Sequence, residues 1–162
     1  PWGSGVMTEF EYNLYAKGLP KDQYNAAWWE LVKKYQGIVP PAARGEIFCD
    51  AATKTHINDD PAGYYDYSIA NVLLFQFHSF IADSILHQDP HATNYWGNKG
   101  VGDFLKKVMY PGASVDWRAH LEASIHSQMS AKPMVDYFAP LMAYLKKVNA
   151  GRNYSLPEQA PI

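Results

Sequence analysis

Cysteine is almost absent from this sequence, and so is any excess of charge of one sign. The single cysteine, Cys49, cannot form a disulfide within the chain and does not indicate a cellular compartment. The 14 basic and 16 acidic residues nearly cancel, which leaves no electrostatic basis for binding nucleic acid. Hydrophobic residues make up 48% of the 162 residues, so the chain can bury the core of one ordinary domain.

Long hydrophobic runs are missing as well. The longest, residues 72–82, is shorter than the roughly 20 residues that span a bilayer and contains Gln76 and His78. We therefore expect no membrane span. No signal-peptide pattern is visible, and the chain opens on Pro1 rather than methionine, so we expect a processed product or a piece of a longer protein.

The pattern of apolar residues predicts an all-α fold. One irregular stretch, residues 37–55, contains Pro40, Pro41 and Gly45 without sustained periodicity, which is typical of a functional loop. Neither strand-like alternation nor an internal repeat is visible in the sequence, and no linker marks a second domain. Helices are predicted over residues 6–16, 21–36, 63–86, 101–109, 114–126 and 130–150.

The predicted helix over residues 63–86 is apolar on nearly every face, and such a helix is normally buried. Four polar side chains precede it or lie in its first turns, namely Lys54, His56, Tyr64 and Tyr67. Polar groups at the rim of a rigid apolar core are typical of a binding cleft. Composition alone favours a solvated loop followed by surface tyrosines.

The six histidines raise the question of a metal site. His87 and His91 have the spacing of two ligands on one helix, but the Asp-Pro pair between them breaks such a helix. His120 and His126 would point in different directions on a helix. The zinc motif H-E-x-x-H is absent, so we expect no metal ligands from this chain. His78, on an apolar helix, is expected to be a hydrogen-bonded core histidine.

Several short motifs together resemble the angiotensin-converting enzyme family of zinc peptidyl-dipeptidases. They follow one another in order over most of residues 1–156, and several motifs at consistent spacing are much more specific than one. Departures from the vertebrate pattern indicate a bacterial-type member. The matching residues are Tyr24-Asn25, Trp28-Trp29, residues 35–41 (Y-Q-G-I-V-P-P), residues 54–57 (K-T-H-I), Tyr64, Tyr67, residues 75–78 (F-Q-F-H), residues 130–134 (S-A-K-P-M), Tyr137-Phe138, Pro140-Leu141 and Leu145.

The resemblance implies an irregular helical array that is part of a larger helical metallopeptidase with a deep channel. Residues 1–156 would be the C-terminal helical part of its catalytic domain, and residues 157–162 a tail. The family's zinc motif lies upstream, so zinc and its ligands belong to the complete enzyme, and that upstream part is a partner of this chain. This chain alone is expected to be inactive. The resemblance also implies a periplasmic or secreted location.

The resemblance assigns roles to the polar residues at the predicted cleft. Lys54 and Tyr64 would bind the C-terminal carboxylate of the substrate, which a cation and a phenol donor suit. His56 would hold a substrate carbonyl, and Tyr67 would stabilise the oxyanion of the tetrahedral intermediate. Relative to the vertebrate pattern there is one extra residue between His56 and Tyr64, which leaves Tyr65 as an alternative to Tyr64.

Chloride is not expected to act on this protein. Vertebrate members of the family bind activating chloride through arginines, and Val32 and Asp66 stand at two of the corresponding positions here. Valine cannot bind an anion, and a carboxylate repels one.

Two functions follow from the sequence. The first is the C-terminal portion of a zinc metallopeptidase that releases dipeptides from peptide C-termini, with free C-terminal peptides as substrates. The second is a non-catalytic helical peptide-binding or interaction domain that lacks the zinc motif. An H-E-x-x-H segment in the source polypeptide or in a partner chain would distinguish the first from the second.

Overall fold

The computed structural model describes residues 2–158, with Trp2 described for its backbone only, and every regular element in that range is helical. The predicted all-α fold is therefore confirmed. The chain divides into two compact units, one comprising Pro1–Ile69 and Arg152–Ile162 and the other Ala70–Gly151. The domain predicted over residues 1–156 stays a prediction, and the end of the predicted tail lies outside the described residues.

Two helices form the frame of the first unit. Helix α1 spans Trp2–Glu11 and continues as a π-helical turn, Tyr12–Ala16. Helix α2 spans Tyr24–Gln36 after a short 3₁₀ turn, and it ends at Gly37, whose φ of 65° is left-handed. The end of α2 agrees with the prediction, whereas α1 begins earlier than the apolar pattern predicts.

The core of the first unit lies where α1 packs on α2. The ring of Phe10 meets that of Trp28 edge-on, with centroids 5.4 Å apart. Aromatic pairs in this arrangement stabilise a core beyond the apolar area that they bury. The buried core residues are Val6, Phe10, Trp28, Leu31, Val32, Ala51 and Ile57.

Two short helical segments connect this core to the next long helix. A 3₁₀ turn spans Asp50–Thr53, and helix α3 spans His56–Asp59. Each segment places one residue in the core, Ala51 in the first and Ile57 in the second. The backbone around Lys54 is therefore attached to the helix pair on both sides.

Helix α4 spans Asp66–Phe80 and passes into a π-helical stretch, Ile81–Leu86. It begins later than the predicted residue 63 because residues 60–63 form a turn. In that turn the Gly63 N–H donates to the Asp60 carbonyl oxygen at 3.1 Å. The proline that precedes Ala62 therefore lies in this turn rather than in a first helical turn.

The burial predicted for the helix over residues 63–86 holds only in part. Gln76, Ile81 and Ala82 are buried, whereas Leu74 is 58% exposed, because apolar side chains lie on more faces than the described part of the chain covers. The run over residues 72–82 predicts no membrane span. By length and composition alone, however, Asp66–Leu86 is the one described stretch able to cross a membrane, with a mean hydropathy of 1.4 and 17% of that window buried. One such helix is weak support for a span, since core helices of soluble proteins meet the same criterion.

The second unit contains three further helices, α5 (Lys99–Met109), α6 (Trp117–Ile125) and α7 (Lys132–Val148). Helix α6 begins later than the predicted residue 114, because Asp116 caps it. The Asp116 Oδ1 accepts from the N–H groups of Arg118 and Ala119 at 3.0 and 2.9 Å. A carboxylate at this position satisfies donors that have no partner within the helix.

Gln76 contacts the segment that leads into α7. Its Nε2 donates to the Gln128 carbonyl oxygen, and its Oε1 accepts from the Ser130 N–H, both at 2.9 Å. The side-chain amide thus makes a donor and an acceptor bond to backbone, which is how a buried polar group is normally accommodated.

Candidate functional site

A cavity of about 580 Å³ lies in the first unit between α1, α2 and the residues that flank α3. This volume is in the range of small-ligand and peptide pockets, roughly 300–1,000 Å³. The four residues that the sequence singles out, Lys54, His56, Tyr64 and Tyr67, all line this cavity. The structure therefore brings together every predicted site residue, although their roles stay predictions.

Three aromatic rings follow one another along the cavity. The rings of His56 and Tyr64 meet edge-on, with centroids 4.4 Å apart and planes at 65°. Tyr64 then stacks on Tyr67, with centroids 5.7 Å apart. His56 begins α3, and Tyr67 lies in the first turn of α4, so two helix starts fix the outer rings and Tyr64 lies between them.

Tyr64 is held in its protonated form. Burial raises the pKa of its phenol above the ordinary range, and the negative charges of Asp59 and Asp60 raise it further. A phenol with a raised pKa keeps its proton at neutral pH. The Tyr64 hydroxyl also interacts with the Asp59 carboxylate, so a ligand would have to replace that partner to accept a hydrogen bond from it.

Tyr65, the alternative to Tyr64, lies elsewhere. It lines a separate open depression, of about 730 Å³, together with Tyr12, Tyr35 and Ile69. Its side chain is 52% exposed. Within the first unit the two neighbouring tyrosines thus line different depressions, and Tyr64 is the one beside His56 and Tyr67.

Asp50, which also lines the cavity, is neutralised by its neighbours. Arg44 donates to both of its carboxylate oxygens at 2.7 and 2.8 Å, and Trp29 Nε1 donates to Oδ2 at 2.7 Å. These bonds, with Arg44 the largest contributor, hold the pKa of Asp50 well below its usual range. Lys54 is the one lysine or arginine among the described residues that line the cavity.

Asn25 and Glu46 attach the irregular loop to the start of α2. Asn25 is fully buried; its Nδ2 donates to the Arg44 carbonyl oxygen at 2.7 Å, and its Oδ1 accepts from the Asp50 N–H at 2.9 Å. The Glu46 carboxyl group accepts from the N–H groups of Asn25 and Ala26 at 2.7 and 2.8 Å. The sequence does not reveal these partners, because Glu46 and the start of α2 are far apart in the chain. No local sequence pattern links a loop carboxylate to a distant helix start.

A metal site is not formed by the described residues, among which no three His, Cys, Asp or Glu side chains are grouped closely enough to hold an ion. Several histidine side chains make hydrogen bonds to backbone and side-chain groups, namely those of His78, His87, His91 and His120. His78 contacts the Tyr95 hydroxyl and the Pro90 carbonyl oxygen, as predicted for a core histidine. His120 Nε2 contacts the Val108 carbonyl oxygen at 3.0 Å. Residues 2–158 therefore do not form a zinc site by themselves.

Comparisons with known proteins relate the whole of this region to one family. The family model described as angiotensin-converting enzyme matches residues 1–156. The angiotensin-converting enzyme of Mus musculus is 35% identical over 147 residues, which cover 89% of this chain and 11% of that protein. The angiotensin-converting enzyme of Theromyzon tessulatum is 32% identical over 145 residues, 88% of this chain and 23% of that protein.

The chain thus spans less than a quarter of the length of these curated relatives. The match nevertheless extends from the first residue to position 156 and includes the residues that line the cavity. Because the family model matches nearly the whole chain, the chain belongs to the angiotensin-converting enzyme family.

Proposed function

We propose that this chain is the C-terminal portion of a zinc metallopeptidase that releases dipeptides from peptide C-termini. It would form the wall of the cleft that holds the substrate's terminal carboxylate and the developing oxyanion. The observation that carries the proposal is the convergence of Lys54, His56, Tyr64 and Tyr67 on one cavity. A bacterial-type member in the periplasm or outside the cell is part of the proposal.

The carboxylate end of the cleft consists of Lys54 and Tyr64. An ammonium group and a phenol that keeps its proton both donate to a carboxylate, and hydrogen bonds that involve charge are stronger than neutral ones. A requirement for this carboxylate two residues beyond the cleaved bond makes the enzyme a peptidyl-dipeptidase. The position of Tyr65 in another depression supports Tyr64 in this role.

The reacting end of the cleft consists of His56 and Tyr67. In the proposed enzyme His56 donates to a substrate carbonyl and Tyr67 to the oxygen that becomes negative in the tetrahedral intermediate. Donors aimed at developing charge accelerate acyl-transfer chemistry, because they bind the transition state more tightly than the substrate. Tyr67 lies in the first turn of α4, and a helix start is a rigid mount for such a donor.

The zinc ligands would come from the upstream part of the same enzyme, since the described residues do not form a metal site. We expect the isolated chain to be inactive, and the assembled enzyme to need no chloride. The alternative is a non-catalytic helical peptide-binding or interaction domain. The proposed carboxylate site and the lack of a metal-ligand group among the described residues are compatible with it as well. The presence of H-E-x-x-H in the source polypeptide or a partner chain decides between them.

The carboxylate assignment is tested on the 162-residue chain by calorimetric titration with a short peptide as its free acid and as its C-terminal amide. We expect the acid to bind more tightly. Lys54→Met should weaken binding of the acid by roughly 10- to 150-fold, the range of a charged hydrogen bond, and leave the amide almost unaffected. Lys21→Met, an exposed lysine in the same unit, is the matched control. Equal affinity for acid and amide would contradict the proposal.

A further inference from the structure

We infer that Glu11 is a positioning residue for Tyr64, because its carboxyl group holds the turn that delivers Tyr64 to the cavity. The inference rests on the proposed role of Tyr64 in binding a carboxylate. Glu11 ends α1 and does not line the cavity. It acts through the backbone of Ala62.

The turn before Tyr64 has an unusual residue at its third position. Asp60, Pro61, Ala62 and Gly63 form the turn, and Ala62 has a φ of +61°. Proline at the second position with positive φ at the third is typical of type II turns, which favour glycine at the third. An alanine there is strained, and strained residues persist where their surroundings hold them.

The turn is also tight. A Cβ added at Gly63 would come within 2.5 Å of the Asp60 carboxylate. That carboxylate is the end of an exposed side chain and can move aside, so the contact alone does not require glycine at 63, whereas Ala62 carries the strained φ. The residue that needs an external contact to stay in place is Ala62.

Glu11 provides that contact. Its Oε1 accepts from the Ala62 N–H at 3.1 Å, and the residue is only 3% exposed, beside Phe10 in the core. A buried carboxyl group with a backbone partner on a strained residue fixes that residue more firmly than a solvated one would. A second contact from the same helical region, from the Tyr15 hydroxyl to the Ile57 carbonyl oxygen at 2.6 Å, holds the other end of the segment.

The consequence concerns the ring that lies two residues beyond Ala62. A change of φ at Ala62 redirects the chain that follows it and moves the Tyr64 ring away from its place between His56 and Tyr67. With the turn held, the Tyr64 hydroxyl has one position in the cavity before any ligand arrives. Such preorganisation lowers the cost of binding.

The test compares Glu11→Met, which removes the acceptor but keeps the length, with the double variant Glu11→Met/Ala62→Gly. Glycine adopts positive φ without strain, so it should restore what the first change removes. In titrations of the 162-residue chain with a free-acid peptide, Glu11→Met should weaken binding roughly fivefold, the factor that about 1 kcal/mol represents. The double variant should recover most of the affinity. The control is Glu9→Met, the same change on the same helix at a carboxyl group that bonds to Lys34 and Tyr35. Adding Ala62→Gly to this variant should not change its affinity for the peptide.

A readout independent of ligand comes from amide exchange and tyrosine signals in the NMR spectrum. In the wild-type chain the Ala62 N–H should exchange as slowly as amides of α1, and exchange at the rate of an open loop would overturn the inference without any variant. Glu11→Met should speed this exchange and shift the Tyr64 ring signals, and Ala62→Gly should return the ring signals. If the double variant binds the peptide as weakly as Glu11→Met does, Glu11 contributes only to the stability of the core and the inference is wrong. If the wild-type chain does not distinguish acid from amide, the proposed function fails, while the ring signals still decide the role of Glu11.

Discussion

Tyr64 stacks on Tyr67 almost in parallel, with ring planes only 10° apart. Tyr64 lies just before α4, and Tyr67 lies in its first turn. Because each ring supports the other through its face, removal of one hydroxyl leaves both rings in place. The roles proposed for the two hydroxyl groups can therefore be tested one at a time.

Tyr67→Phe should mainly lower kcat in an enzyme assembled with its zinc-bearing part. The proposed hydrogen bond forms only when the substrate oxygen becomes charged, so its loss affects the transition state and not the bound substrate. The expected decrease is roughly 100- to 1,000-fold, as for other oxyanion donors. Steady-state kinetics on a free-acid peptide measure it, with Tyr65→Phe as the control because Tyr65 does not line the cavity. Full kcat in Tyr67→Phe would assign the oxyanion to another residue.

Activity of the assembled enzyme should not depend on chloride. Val32 is buried in the apolar core, and Asp66 begins α4 immediately before Tyr67. A carboxylate at that place disfavours an anion beside the proposed oxyanion donor. Rates measured with added chloride against an inert anion at constant ionic strength check this. Several-fold activation by chloride alone would be incompatible with the expectation.

The Asp50–Arg44 ion pair should make the first unit sensitive to acid. The pKa of Asp50 is lower in the folded chain than its ordinary value of 3.8, so the unfolded chain takes up a proton first as the pH falls. The pair's contribution is complete at neutral pH and is lost progressively below about pH 4. Asp50→Asn should cost roughly 1.5–3 kcal/mol at pH 7 and reduce the acid sensitivity. Urea unfolding at pH 7 and pH 3 measures both, with exposed Asp103→Asn as the control; unchanged stability at pH 7 would refute the role of the pair.

Ala62→Gly should not destabilise the chain, unlike most alanine-to-glycine changes. A left-handed alanine costs roughly 1–2 kcal/mol, which offsets the roughly 0.5–1 kcal/mol by which glycine favours the unfolded chain. The net change should lie between zero and about 1.5 kcal/mol of added stability. Ala27→Gly, inside α2, is the control and should lose about 0.5–1 kcal/mol. Equal losses in the two variants, measured by urea unfolding, would show that Ala62 is not strained.

Local signals in the sequence predict part of this fold well. Gly37 ends α2 in the left-handed conformation that a helix stop requires, and Trp28, Leu31 and Val32 are buried as an apolar helical stripe should be. Short sequence motifs identify the candidate site residues. They specify the side chains and their order along the chain, but not the distances between those side chains in the fold. The structure adds that these side chains share one cavity.

Other features depend on contacts between distant parts of the chain and give no local signal. Asn25 and Asp50 meet because the loop folds back on α2, and the Glu11–Ala62 contact joins residues that are 51 positions apart in the chain. The burial expected of the helix over residues 63–86 holds only in part for a related reason. An apolar pattern predicts that a helix is covered, but it does not say whether the covering residues belong to the same stretch of chain.

Gln76 illustrates how a buried amide constrains evolution and engineering. Both of its bonds go to backbone atoms, the Gln128 carbonyl oxygen and the Ser130 N–H, so the side chains at those two positions are not what it recognises. The side chain at 128 can change without loss of either bond, whereas position 130 must keep its N–H, and its hydroxyl accepts from the Lys132 N–H at 3.1 Å. The insertion or deletion of a single residue between 128 and 130 would misalign both bonds of Gln76. The segment that leads into α7 is thus fixed in length.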